Sequence, residues 1–177
     1  MAEISLKKEL SGSILDLGGG GEGIVGRVYG SAVTAIDNRQ EELDEAPKGP
    51  EKLPMDACDL KFDDGSFDNV TAFYFFMYLL KERHEDALAE AFRVLRPKGR
   101  LYVWDAEIKK ADPFLVELDI DANGERVHTT YGVYKDDARQ DAQSLAKAAR
   151  SAGFSPVFSR IEDEDGQFHL CFEKQGD

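Results

Sequence analysis

Apolar positions along the chain alternate between two periods. Residues 13–17 are a short apolar run that ends at a glycine turn, which predicts a buried strand. Ile24, Val25, Val28 and Tyr29 follow at helical spacing, and Gly30 stops that helix. Residues 32–37, "AVTAID", predict a second buried strand. The helix after it, within "NRQEELDEAPKGP", is short because Pro47 and Pro50 close it. "KLPMDA" predicts a third strand, placed at a sheet edge by Pro54. "FDNVTAFYFF" contains a fourth, beginning near Asp68. Leu88, Ala91, Phe92 and Leu95 mark one face of a helix over 85–95, ended by "RPKG". "RLYVWDAEI" is then a fifth strand.

A hairpin follows. Val116, Leu118 and Ile120 alternate with Glu117 and Asp119, and Val127, Tyr131 and Val133 share one parity in the return strand. Asn123-Gly124 between the two runs is a strong turn signal. A last helix, over 136–152, carries Ala138, Ala142, Leu145, Ala149 and Ala152 on one face, with Gly153 as its stop. "SPVFSRI" and "FHLCFEK" close the chain as an antiparallel pair turned by "DEDG". Alternating strands and helices imply a parallel sheet with right-handed crossovers. The expected fold is α/β, with ligands at the carboxyl ends of the strands. One domain over residues 1–177 is expected, with the hairpin as an insert at about 113–134.

Composition narrows the function. No apolar run is long enough to span a bilayer, and "MAEISLKKEL" lacks the apolar core of a signal peptide, so a cytoplasmic protein without a membrane partner is expected. Cys58 and Cys171 lie far apart with no CxxC partner, which predicts reduced thiols and no metal site. The 35 acidic residues against 22 basic ones give a net charge of −13. Such a surface repels phosphate backbones and speaks against nucleic acid as a substrate. The aspartates at 59, 63, 64 and 68 lack the spacing of a calcium loop and read as solvated turn residues.

The chemistry concentrates in "ILDLGGGGEG". Gly18-x-Gly20-x-x-Gly23 matches the dinucleotide fingerprint, whose backbone holds a pyrophosphate. Asp16 stands just before it, where its charge would repel a pyrophosphate but would suit an ammonium group. Asp37 ends the second strand, the place of an acid that binds ribose hydroxyls. "MDACDLKFDDGSFDNVTAFYFFMYL" and "AFRVLRPKGRLYVWD" follow in order.

Together these segments resemble the motifs of class I S-adenosylmethionine-dependent methyltransferases, in the broad small-molecule-type group. The resemblance implies a Rossmann-like three-layer α/β/α sandwich, with a seven-stranded, mostly parallel sheet whose last strand is antiparallel. It implies S-adenosyl-L-methionine as cofactor, with the methionine end near Asp16, Gly18, Gly19 and Gly20, the ribose at Asp37 with Asn38 beside it, and the adenine at Asp56 and Ala57. Tyr74 and Phe75 would wall the cofactor. The Asn/Asp-Pro-Pro-Tyr/Phe sequence of amino-methylating relatives is absent, which disfavours their substrates. Transfer of a methyl group to an unidentified small-molecule or protein acceptor is the expected activity, by a monomer or homodimer. A non-catalytic cofactor-binding partner subunit and an NAD-dependent oxidoreductase are the alternatives.

Two departures stand out. Glu22 occupies the usual place of the third glycine, which moves to Gly23; a wider turn with Glu22 pointing outward is expected. The N-terminal segment offers little material for a lid. The sulfonium carries its own activation, so a dedicated base is optional. His84 and His169 read as structural, and His128 and Tyr131, in the hairpin, are the candidates for substrate contact or catalysis.

Overall fold

A computed structural model describes residues 2–109, 113–134, 140–162 and 166–176. Along the chain run β1 (Ala2–Leu6), β2 (Ile14–Leu17), α1 (Ile24–Tyr29), β3 (Val33–Asp37), α2 (Gln40–Glu45), β4 (Glu51–Pro54) and β5 (Phe67–Phe73). Then come α3 (His84–Val94), β6 (Leu95–Ala106), β7 (Phe114–Ala122), β8 (Glu125–Val133), α4 (Ala142–Ser151), β9 (Ser155–Glu162) and β10 (Gln167–Glu173).

The main sheet has seven strands in the order β4-β3-β2-β5-β6-β10-β9. The first five run parallel, and β10 lies antiparallel between β6 and β9. This is the α/β sandwich expected, with its order reversing beside β2. Side chains alternate across the sheet and feed two cores. Leu15, Leu17, Val70 and Val103 meet Leu88 and Ala91 of α3 and Leu145 of α4 on one face. Ile14, Val33 and Ala35 meet Ile24, Val25 and Val28 of α1 on the other. The edge position of β4, with Pro54 as its last residue, spares a ladder hydrogen bond that proline cannot make.

A second, three-stranded sheet lies over α1 in the order β1-β7-β8. β7 and β8 pair antiparallel, Val116 opposite Tyr131 and Leu118 opposite Thr129. Asn123 and Gly124 turn the chain with φ of 55° and 97°. The N-terminal segment, in which no strand was expected, pairs parallel to β7 from Ala2 opposite Leu118 to Leu6 opposite Ala122. Ala2 and Leu6 are buried while Glu3 and Ser5 are exposed, a period-two pattern too short to stand out before its distant partner is known.

Other boundaries shift. Leu95, expected on the helix, is the first residue of β6, and "RPKG" lies inside that strand, where Lys98 adopts φ 66° and the register with β5 slips. The final helix begins at Ala142, capped by the Asp141 side chain, which accepts the Ser144 N–H at 2.7 Å. Its expected start, including Ala138, and most of the "DEDG" turn lie outside the described residues. Among the described residues no helix is long and apolar enough to cross a membrane.

Candidate active site

The carboxyl ends of β2, β3, β4 and β5 open into one cleft of about 510 Å³. The glycine loop forms its floor. Gly19 and Gly21 donate their N–H groups to the carbonyls of Ile36 and Glu42 at 2.9 and 2.8 Å, tying the loop to β3 and α2. At Gly20 a Cβ would lie 2.5 Å from the Cβ of Glu42, so only glycine lets α2 pack this closely. Gly23 begins α1 with φ 53°, and a Cβ there would meet Pro47 at 2.7 Å. The displaced glycine therefore belongs to a left-handed entry into α1 beneath the proline that ends α2.

Gly18 and Gly20 line the cleft, as do Asp37, Asn38, Asp56, Ala57, Tyr74 and Phe75. Asp37 accepts the N–H of Arg39 at 2.9 Å. Asp56 accepts the N–H of Cys58 at 2.9 Å and pairs with Arg83 at 2.9 Å. The backbone N–H and the guanidinium hold its carboxyl below the usual carboxylate range. Phe75 crosses the cleft above Gly18, where a Cβ would come within 2.8 Å of its ring. Tyr74 adopts φ 51°, is buried, and hydrogen-bonds Gln167 through its hydroxyl. Its ring stacks on Tyr131 with centroids 5.0 Å apart.

Asp16 and Gly19 do not reach the cleft wall. Asp16 is 2% exposed beneath the loop, accepts the Thr71 hydroxyl at 2.7 Å, and is pushed up to about 7 by burial. Its Oδ2 lies so close under Gly19 that a Cβ there would stand 2.7 Å away. The two hairpin candidates part company because neighbouring strand residues face opposite ways. Tyr131 faces the cleft, while His128 is exposed on the outer face and pairs with Glu117 at 3.3 Å.

Glu22 corrects the expectation of an outward side chain. It lines the cleft, where the Thr129 hydroxyl donates to its Oε1 at 2.5 Å and the Tyr131 hydroxyl to its Oε2 at 3.3 Å. Two hydroxyl donors on β8 outweigh exposure to water because the hairpin is already fixed above α1 by its buried face. Arg27 reinforces the junction, donating from Nε to the Glu22 carbonyl at 2.7 Å and pairing with Glu125.

Sequence reasoning missed several cleft residues. Glu42 and Arg83 reach it from a short helix and a distant turn, with no local pattern to mark them. Tyr78 sits on the rim and accepts the Gly132 N–H at 3.1 Å, which joins the β5 loop to the hairpin. Asp105, at the end of β6 behind that loop, is 1% exposed. It accepts hydrogen bonds from Met77 N, Ala106 N and Gln140 Nε2, and burial pushes it up to about 7. Its position after the apolar run "LYVW" was the available signal.

The fold is that of the class I S-adenosylmethionine-dependent methyltransferases. The family described as "Methyltransferase domain" matches residues 15–103, half of the chain, and the protein belongs to it. Its cofactor is S-adenosyl-L-methionine. A demethylmenaquinone methyltransferase of Clavibacter sepedonicus is 32% identical over 124 residues, 62% of this chain and 49% of that protein. The chain thus spans about half the length of this curated relative. A SAM-dependent methyltransferase of Methanosarcina mazei superposes with a TM-score of 0.67 at 18% identity, covering 95% of each chain. A putative methyltransferase of Haloferax volcanii, solved in complex with a Trm112 methyltransferase activator, gives 0.69 at 17% identity over 96% of this chain and 85% of its own. At these identities the solved structures establish the fold alone.

Proposed function

We propose that the protein transfers a methyl group from S-adenosylmethionine to an acceptor held at the tyrosine-lined end of the cleft. The observation that carries this reading is the convergence of four consecutive parallel-strand ends, with Gly18, Gly20, Asp37, Asp56 and Tyr74 around one cavity. The cavity fits the cofactor in size, being within the range of small-molecule sites, roughly 300–1,000 Å³. It also fits in chemistry. Asp37 presents a carboxylate for ribose hydroxyls, and the turn at Asp56 and Ala57 presents an acid and backbone for a purine edge.

When bound, S-adenosylmethionine supplies a methyl group already activated on a sulfonium. The chain's own residues then orient the reactants and exclude water. Phe75 and the Tyr74–Tyr131 stack wall the reacting end. Tyr131 contacts the acceptor, its hydroxyl held by Glu22; His128, on the outer face, does not. Likeness to a demethylmenaquinone methyltransferase makes a quinone-type ring the first acceptor to assay. The site is proposed to work in the cytoplasm, in a monomer or homodimer.

Calorimetry tests the cofactor. Wild-type protein is expected to bind S-adenosylhomocysteine in the micromolar range and NADH far more weakly. Folded protein that binds no S-adenosylhomocysteine would overturn the reading. Binding without transfer of labelled methyl to any acceptor pool would favour a non-catalytic partner subunit.

A further inference from the structure

Four carboxylates line the cleft: Glu22, Asp37, Glu42 and Asp56. Glu42 pairs with Arg39 at 2.8 Å and Asp56 with Arg83. Asp37 accepts a backbone N–H and stands at the end of β3. Glu22 is different. Each of its carboxylate oxygens takes one hydroxyl, from Thr129 or Tyr131, and among the described residues no cation pairs with it. A hydroxyl orients a carboxylate but does not neutralise it. Each oxygen keeps a second acceptor position, so the group is shaped to receive N–H donors that bring positive charge.

Asp16, the acid that the family pattern assigns to the methionine ammonium, is poorly placed for it. It lies under the loop, almost wholly buried, outside the cleft lining, with its Oδ1 taken by Thr71. Burial also favours its neutral form, which attracts an ammonium weakly.

We infer that Glu22, rather than Asp16, receives the ammonium of the cofactor's methionine end, and that Thr129 and Tyr131 aim it there. The inference rests on the cofactor reading above. On this account the glutamate in the usual place of a glycine anchors the cofactor and does not repel it. It also joins the cofactor loop to the hairpin, so the same contact holds both walls of the cleft.

Calorimetry with two probes separates the possibilities. S-adenosylhomocysteine carries the ammonium; 5′-methylthioadenosine has the same nucleoside without the amino-acid end. Glu22→Gln keeps the shape and removes the charge. It should weaken S-adenosylhomocysteine by about tenfold, the value of one charge-assisted hydrogen bond, and leave 5′-methylthioadenosine unchanged. Asp16→Asn should weaken S-adenosylhomocysteine less than Glu22→Gln does. Thr129→Val, which leaves the glutamate but removes an aiming hydroxyl, should lower affinity for S-adenosylhomocysteine selectively, and it secures the test if Glu22→Gln folds poorly. Unchanged or tighter S-adenosylhomocysteine binding by Glu22→Gln, equal losses for both probes, or a larger loss in Asp16→Asn would overturn the inference. Wild-type protein that binds neither probe would remove the cofactor reading itself, and this inference with it.

Discussion

Two buried aspartates set the pH response at the residue scale. Asp16 and Asp105 are each pushed from an ordinary 3.8 to about 7, chiefly by desolvation. The folded state therefore holds their protons more tightly than the unfolded chain does. Their stabilising contribution is complete below pH 3.8 and is lost as pH rises through about 7. The urea midpoint is expected to fall between pH 5 and pH 7.5, and Asp105→Asn, permanently neutral, should flatten part of that slope. An equal slope in the variant would show that Asp105 is not responsible. Gln140 belongs to the same cluster: its Nε2 donates to Asp105 at 2.5 Å, while its buried Oε1 has no partner among the described residues. None of this was visible in the sequence, because a strand-end aspartate reads the same whether water or protein lies beyond it. His84 and His169 do carry structural roles. His84 Nε2 lies 3.1 Å from the carbonyls of Phe76 and Leu79, and His169 stacks on Trp104 at 4.3 Å.

At the scale of elements, the small sheet decides what covers the cofactor loop. The hairpin's register followed from its alternation, since a one-residue slip would turn Val116, Leu118 and Ile120 to water. What it packs against did not follow. Leu118 is fully buried among Ala2, Leu6 and the apolar face of α1. Leu118→Ala should cost about 2–5 kcal/mol if the sheet and the main body unfold together. Hydrogen exchange would locate the loss: faster exchange in β1, β7 and β8 with the main sheet unaffected would show that the small sheet opens independently. Either opening releases Thr129 and Tyr131 from Glu22, so cofactor affinity should fall as well. A Leu118→Ala variant that kept wild-type affinity for S-adenosylhomocysteine would separate the hairpin from the cofactor loop.

At the scale of the whole molecule, a net charge of −13 acts on every part at once. Many acids have local partners, among them Asp68 with Arg96, Glu90 with Arg93 and Glu173 with Arg100, but the excess remains. Self-repulsion disfavours the compact state and is screened by salt. Raising ionic strength from low to physiological should raise the melting temperature by about 2–4 °C, as for a gain on the order of 1 kcal/mol. A melting temperature that does not move would mean that the acids are already balanced locally. The cleft shares this excess, with four lining carboxylates against Arg39 and Arg83.

The sequence by itself determined the succession of the main sheet's strands along the chain, the class of the fold and the ends at which chemistry would gather. These rest on local periodicity and on turn residues, which act over a few positions whatever lies elsewhere. It also placed Asp37, Asn38, Asp56 and Tyr74 near one another through the rule that parallel strands end on one side. Only the tertiary structure decided that β1 completes a second sheet, that Asp16 lies beneath the loop, and that Glu22 turns into the cleft toward Thr129 and Tyr131. The first and last depend on contacts between residues more than a hundred positions apart, and the second on Thr71, 55 positions along the chain from Asp16. The direction of a side chain is set by whichever partner the folded chain brings to it, and no local pattern records that partner.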